Sequence, residues 1–131
     1  MTRFVLDARA YLQLAETNLE VAPGHELLAP TLMRSQVLSL MHEAVARGEV
    51  PAQVAQDRLR RIIGMKVRLL GDAVLRKVAW QVADKLGSSS TDDAEYIALT
   101  ILQADAFVTL DVELRDAAST LVRTASLEEL R

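Results

Sequence analysis

Short apolar runs without helix caps alternate along this chain with longer amphipathic stretches, and that alternation constrains the fold more than any other feature. The first run is Phe4-Val5-Leu6, stopped by Asp7. Leu27-Leu28-Ala29 follows, ended by Pro30, and Ala106-Phe107-Val108-Thr109-Leu110 is the clearest of the set. Met65–Leu69 and Thr120–Thr124 read as two weaker strands. Runs this short and apolar are what a strand buried on both faces requires. Between them the sequence predicts helices over Ala8–Thr17, Thr31–Arg47, Asp72–Leu86, Asp92–Ala104 and Asp111–Ala118, and one more that Pro51 starts and Gly64 ends. Met33, Val37, Leu40, Met41 and Ala44 make a helical apolar stripe, as do Leu75, Val78, Ala79 and Val82. Gly48 and Gly87 stand where helix C-caps belong. Strands alternating with helices imply βα units, and so an α/β fold with a parallel sheet covered by helices on both faces.

Length and composition narrow the chemistry. The 131 residues hold no Pro/Gly-rich linker and no repeat, so one domain over 1–131 is expected. The 2 Phe, 2 Tyr and 1 Trp leave the core to Leu, Val, Ala and Ile. Absence of cysteine excludes disulfides, thiolate metal sites and cysteine nucleophiles. His25 and His42 alone make a zinc site improbable. A net charge of −3 argues against a polybasic mode of nucleic-acid binding, though not against a local basic patch. The longest uncharged stretch, Tyr96–Ala104, is too short to span a bilayer, and the N-terminus has no apolar signal region, so a cytoplasmic protein with no membrane partner is the expectation.

In parallel sheets ligands bind outside the carboxyl ends of the strands. Asp7 follows Phe4-Val5-Leu6, and Asp111 follows Val108-Thr109-Leu110. If those strands are neighbours, their ends lie about 5 Å apart. Asp93 falls in the first turn of a helix that a Ser/Thr run precedes. Three carboxylates converging on one concavity repel each other, and their pKa values rise unless a cation sits between them. A hard divalent ion with oxygen ligands, Mg²⁺ or Mn²⁺, resolves this most simply, and suggests metal-assisted attack of water on a phosphodiester. Each acid also has a plain structural role available. Asp7 and Asp111 can cap the helices that follow them, and Asp92 and Asp93 suit the positive end of theirs. A response-regulator-like receiver also places acids at strand ends, but Asp7 is followed by Ala8-Arg9 and no Lys lies beyond Lys85.

The segments themselves resemble a family. Phe4-Val5-Leu6-Asp7-Ala8 is similar to the opening strand and first Asp of PIN-domain nucleases. Thr91-Asp92-Asp93-Ala94-Glu95-Tyr96-Ile97-Ala98-Leu99 resembles their Asp-Ala-x-Tyr-x-Ala-Leu helix, and Phe107-Val108-Thr109-Leu110-Asp111 their Thr-x-Asp strand end. Ala29-Pro30-Thr31-Leu32 resembles the helix start that leads to the family's single Glu. The order and single-domain length match the VapC-like toxins of toxin–antitoxin pairs. The resemblance implies a three-layer α/β/α PIN-like fold with a central, mostly parallel sheet. It also implies a Mg²⁺-dependent ribonuclease, an RNA substrate, a cognate antitoxin and a homodimer. Carried over by position, Asp7, Asp93 and Asp111 become catalytic residues and metal ligands, with Thr109 orienting the last acid.

One position departs from that pattern. Six residues after Pro30, where the family has Glu, stands Gln36. Its carbonyl can hold an ion or a water but brings no charge. A charge pair at a few ångströms is worth several kcal/mol even at an effective dielectric of about 20, so weaker metal binding is expected. Glu43 lies about 10.5 Å along the same helix, too far to substitute simply. Glu113 and Asp116 are nearer Asp111 in sequence. A PIN-like module that has lost catalysis and only binds RNA or a protein is therefore the alternative.

Weaker signals concern partners. Asp57–Lys77 carries Arg58, Arg60, Arg61, Lys66, Arg68, Arg76 and Lys77 against Asp57 and Asp72, a local +5 that suits either an RNA phosphate track or a solvated helical face. Arg34 and Arg115 are better placed for RNA, near an acid-bearing helix start or edge. Tyr11, Tyr96 and Trp80 suit core or rim packing better than base stacking. The apolar segments Ala8–Thr17 and Thr31–Ile63 are where the resemblance places an antitoxin groove.

Overall fold

The computed structural model describes residues 1–17 and 19–131. Strand β1 (Thr2–Leu6) leads into helix α1 (Ala8–Glu16), then β2 (His25–Pro30), α2 (Leu32–Ala46) and α3 (Ala52–Gly64). The chain continues through β3 (Arg68–Leu70), α4 (Ala73–Leu86), α5 (Asp92–Gln103), β4 (Ala106–Val108), α6 (Val112–Ala118) and β5 (Thr124–Ala125). A 3-10 turn, Leu127–Leu130, closes it. The sheet order is β3-β2-β1-β4-β5, and all four pairings are parallel. The expected three-layer α/β/α arrangement is present. Helix α1 packs on α2 and α3, whereas α5 lies along β1, β2 and β4 and packs against α4.

The local chemistry explains the boundaries. Asp7, Asp72 and Asp111 each accept a backbone N–H from three residues on, capping α1, α4 and α6. Gly87 takes a left-handed φ of 66° and ends α4. Gly71 meets Thr31 where β2 and β3 end, and a Cβ there would lie 2.9 Å from the Thr31 hydroxyl oxygen. Core positions are those that the stripes identified: Met33, Val37, Met41, Leu75, Ala79 and Val82 are buried, with Phe4, Val5, Leu6, Leu28 and Phe107 in the sheet. Among the described residues no helix is long and apolar enough to cross a membrane.

Two strands sit elsewhere than expected. Met65 and Lys66 belong to the turn that closes α3, with Lys66 at a left-handed φ of 57°, so the third strand is Arg68–Leu70 rather than Met65–Leu69. At the other end, the N–H groups of Thr120, Leu121 and Val122 bond back to the carbonyls of Ala117 and Ala118. Those residues finish a helical turn and cannot pair in a sheet, so the last strand is Thr124–Ala125 rather than Thr120–Thr124. The closing turn was not legible beforehand. Ser126 and Glu129 cap each other there, Leu130 is fully buried, and its carbonyl accepts the Ala22 N–H at 2.8 Å.

Tyr11 ties the first helix to the sheet. It is fully buried, and its hydroxyl donates to the Leu28 carbonyl at 2.6 Å. Tyr11→Phe keeps the ring and removes that bond, so it is expected to cost about 1–2 kcal/mol in urea unfolding, with an unchanged m-value.

Candidate active site

Strand β1 is central, and the sheet grows away from it in both directions, toward β2 and β3 and then toward β4 and β5. Loops part at such a reversal and leave a crevice outside the strand ends. A cavity of about 400 Å³ opens here, walled by Asp7, Asp93 and Asp111 together with Arg9, Gln36, Tyr96 and Leu114. The three acids picked from the sequence therefore share one concavity.

Each arrives by its own route. Asp7 continues β1, and its N–H bonds the Val108 carbonyl of neighbouring β4 at 3.2 Å. Its Oδ1 accepts the Ala10 N–H at 2.9 Å and its Oδ2 accepts the Thr109 hydroxyl at 2.5 Å. Asp111 stands at the start of α6, with Oδ1 accepting the Leu114 N–H at 3.1 Å, and its own N–H donates to Thr109 Oγ1 at 3.2 Å. Thr109, only 2% exposed, thus links both acids rather than the last alone. Asp93 lies in the first turn of α5 at the cavity mouth, where Thr91 occupies the capping position. For Asp7 and Asp111 the capping role and the cavity position are both real.

The electrostatics follow from that crowding. Burial pushes the Asp7 carboxyl above its ordinary range; the Thr109 and Ala10 hydrogen bonds oppose the rise, Asp111 adds to it, and Arg9 opposes it. Asp93 is raised by burial first and then by the fields of Asp7, Asp111 and Asp92. Among the described residues none of the three forms a salt bridge.

Gln36 is half-buried in the wall, but its Oε1 accepts the Tyr96 hydroxyl at 2.5 Å. The carbonyl expected to hold an ion or a water is thus engaged by a neighbouring side chain. Arg9, Ser35 and Ser39 also line the cavity and escaped the sequence reading, and Glu43, set aside there as too far along α2 to substitute for an acid at position 36, lines it as well. The signal was present: Arg9 follows Asp7 by two residues, and Ser35, Ser39 and Glu43 recur every fourth position on α2. Glu113, Asp116 and Arg34 are not among the cavity walls. Arg115 is not one either, and donates instead to the Thr109 carbonyl at 3.3 Å.

The basic run of Asp57–Lys77 is only partly free. It is divided among α3, β3 and α4, and much of it is already engaged. Arg58 pairs with Glu16, Arg60 with Asp57 and Arg68 with Glu26, while Arg61 donates to the Ala15 carbonyl. Tyr11 and Tyr96 are core residues, whereas Trp80 is 67% exposed on α4.

No protein-family model matches the sequence, and no curated protein does. Solved structures do match in shape. PAE2754 from Pyrobaculum aerophilum superposes with a TM-score of 0.75 at 20% identity, over 98% of this chain and 92% of that one. VapBC-1 from nontypeable Haemophilus influenzae superposes with a TM-score of 0.57 at 11% identity, over 95% and 97%. The fold is PIN-like. At these identities the likeness speaks for the fold, and the chemistry of this PIN-like site rests on its own geometry.

That geometry suits a hard divalent cation in kind. The donors are carboxylate oxygens of Asp7, Asp93 and Asp111, and among the described residues no salt bridge neutralises them. They are not a finished cage, since among the described residues no three acids, histidines or cysteines are gathered tightly enough to enclose an ion. Mg²⁺ commonly keeps several waters and takes only one or two protein carboxylates, so a loose acidic crevice is a suitable setting.

The raised carboxyls set a pH dependence. Between the ordinary carboxylate pKa and the raised folded value, the native state binds more protons than the unfolded chain, so stability falls as pH rises through that window. Asp7→Asn removes one penalised charge and retains a capping side chain. In EDTA it is expected to melt above wild type at pH 7, with the difference closing as pH falls to about 4. Thermal unfolding across pH measures it.

Proposed function

We propose that this chain is a Mg²⁺- or Mn²⁺-dependent endoribonuclease that hydrolyses RNA phosphodiester bonds, and that it is the toxin of a toxin–antitoxin pair. The observation that carries the reading is the trio Asp7, Asp93 and Asp111 around one crevice, unneutralised by any salt bridge among the described residues. The likeness in fold to VapBC-1 supports the toxin assignment. In hydrolysis the oxygen of water bonds to phosphorus, one P–O ester bond breaks, and the departing oxygen takes a proton. Asp7, Asp93 and Asp111 would hold the ion. When bound, it supplies Lewis acidity to water and to the phosphodiester. Thr109 keeps Asp7 and the start of α6 in register with each other. Arg9, beside Asp7, offers a cation for RNA phosphate at the cavity wall.

Partners follow from the same reading. A cognate antitoxin and a second copy of the chain would cover apolar side chains that the fold leaves exposed. These include Leu38 on α2, Ile63 on α3 and Val112 on α6.

A second reading keeps the PIN-like fold without catalysis. The engagement of the Gln36 carbonyl by Tyr96 and the open arrangement of the acids favour it. One set of measurements separates the two. Wild type is expected to bind Mn²⁺ by calorimetry and to cleave RNA, and Asp7→Asn to lose at least about 100-fold of that cleavage, as removal of a group acting on the transition state does. An inert wild type beside an active Gln36→Glu would select the silent module instead.

A further inference from the structure

The Gln36 carboxamide has two polar ends, and the structure commits one of them. Oε1 accepts the hydroxyl of Tyr96, whose ring is 1% exposed and sits within α5. The short 2.5 Å contact joins α2 to α5 at the cavity wall. The amide is planar, so with Oε1 turned to Tyr96 its two Nε2–H donors leave on the other branch. Among the described residues Nε2 donates to no protein group. The surrounding field selects the same orientation: four carboxylates, Asp7, Glu43, Asp93 and Asp111, line this cavity, and they favour the positive end of an amide dipole over its oxygen. Burial and then the charge of Asp7 push the Tyr96 hydroxyl pKa far up, which keeps its proton available to donate. It therefore stays protonated at any working pH.

We propose that Gln36 is a substrate-binding donor whose Nε2–H groups grip a non-bridging oxygen of the RNA phosphodiester, and that Tyr96 is the positioning residue that turns the amide this way. The assignment rests on the nuclease reading for the identity of the ligand. It changes what position 36 contributes, from an oxygen offered to a cation to a hydrogen-bond donor offered to an anion. The cavity then has mixed character. Asp7, Asp93 and Asp111 gather near β1, β4 and α5, while α1 and α2 bring a guanidinium, Arg9, and an amide donor, with Glu43 also on α2. A phosphate approaching three carboxylates needs such donors, since without them the acids repel it.

The test uses the full-length protein, Gln36→Met and Tyr96→Phe, with thermal melting to establish that each variant is folded. Calorimetry with Mn²⁺ alone reads whether the carbonyl is a metal ligand. Fluorescence anisotropy with a short labelled RNA, with Mn²⁺ replaced by Ca²⁺ and again in EDTA, reads the donor without requiring cleavage. Gln36→Met is expected to leave Mn²⁺ affinity within about 2-fold of wild type, to weaken RNA binding about 10-fold, and to raise KM more than it lowers kcat. Tyr96→Phe is expected to weaken RNA binding by about 3-fold, and Gln36→Asn to bind RNA as weakly as Gln36→Met because the shorter amide cannot reach. A loss of Mn²⁺ affinity of about 10-fold or more in Gln36→Met makes the carbonyl a ligand and overturns the assignment. RNA binding unchanged in Gln36→Met overturns it as well. Failure of the nuclease reading looks different: wild type then neither binds Mn²⁺ nor cleaves, while the anisotropy comparison still decides the donor.

Discussion

The Thr109 hydroxyl donates to Asp7 at 2.5 Å and its oxygen accepts the Asp111 N–H at 3.2 Å, so one buried side chain sets two acids that lie 104 residues apart in sequence. That bond exists only because β1 and β4 are adjacent and in register, with Leu6 opposite Val108. Phe4, Val5, Leu6, Ala106, Phe107 and Val108 are all buried, so helices cover this pair of strands on both faces and hold it in the interior. The hydrophobic core and the acidic crevice are thus a single construction. The sheet burial that stabilises the fold also holds repelling carboxylates closer than they would choose.

Much of this was legible in the sequence because strands buried on both faces announce themselves. Phe4-Val5-Leu6 and the run from Ala106, whose strand stops at Val108 rather than Leu110, needed only hydropathy, and the acids beyond their ends followed from the rule that parallel sheets carry ligands at strand carboxyl ends. The reading was weakest where the signal is short or local chemistry competes with it. Thr120–Val122 is β-prone in composition, yet its N–H groups are taken by the helix that precedes it. The two-residue strand that replaces it, Thr124–Ala125, is too brief to carry a period. Met65–Leu69 failed for a related reason, because the end of α3 claims its first residues.

Within the site, position along a helix was easier to infer than orientation about it. The sequence put Gln36 beside the acids but could not say which end of its amide would face them. That depends on Tyr96, sixty residues away and brought close only when α5 crosses the sheet. Charge clusters misled for the opposite reason. The basic residues of Asp57–Lys77 are contiguous in sequence, but α3, β3 and α4 scatter them and local acids occupy several. Arg9, a lone cation in the first turn of helix α1, is the basic residue that reaches the cavity wall.

The central claim is that three carboxylates gathered by the sheet form the seat of a divalent cation. Anomalous diffraction from crystals soaked in Mn²⁺ tests it most directly. The expected result is a peak in the crevice within about 2.5 Å of carboxylate oxygens from at least two of Asp7, Asp93 and Asp111. A crevice without anomalous density at millimolar Mn²⁺, with the acids still bound only to Thr109 and the backbone, would contradict it.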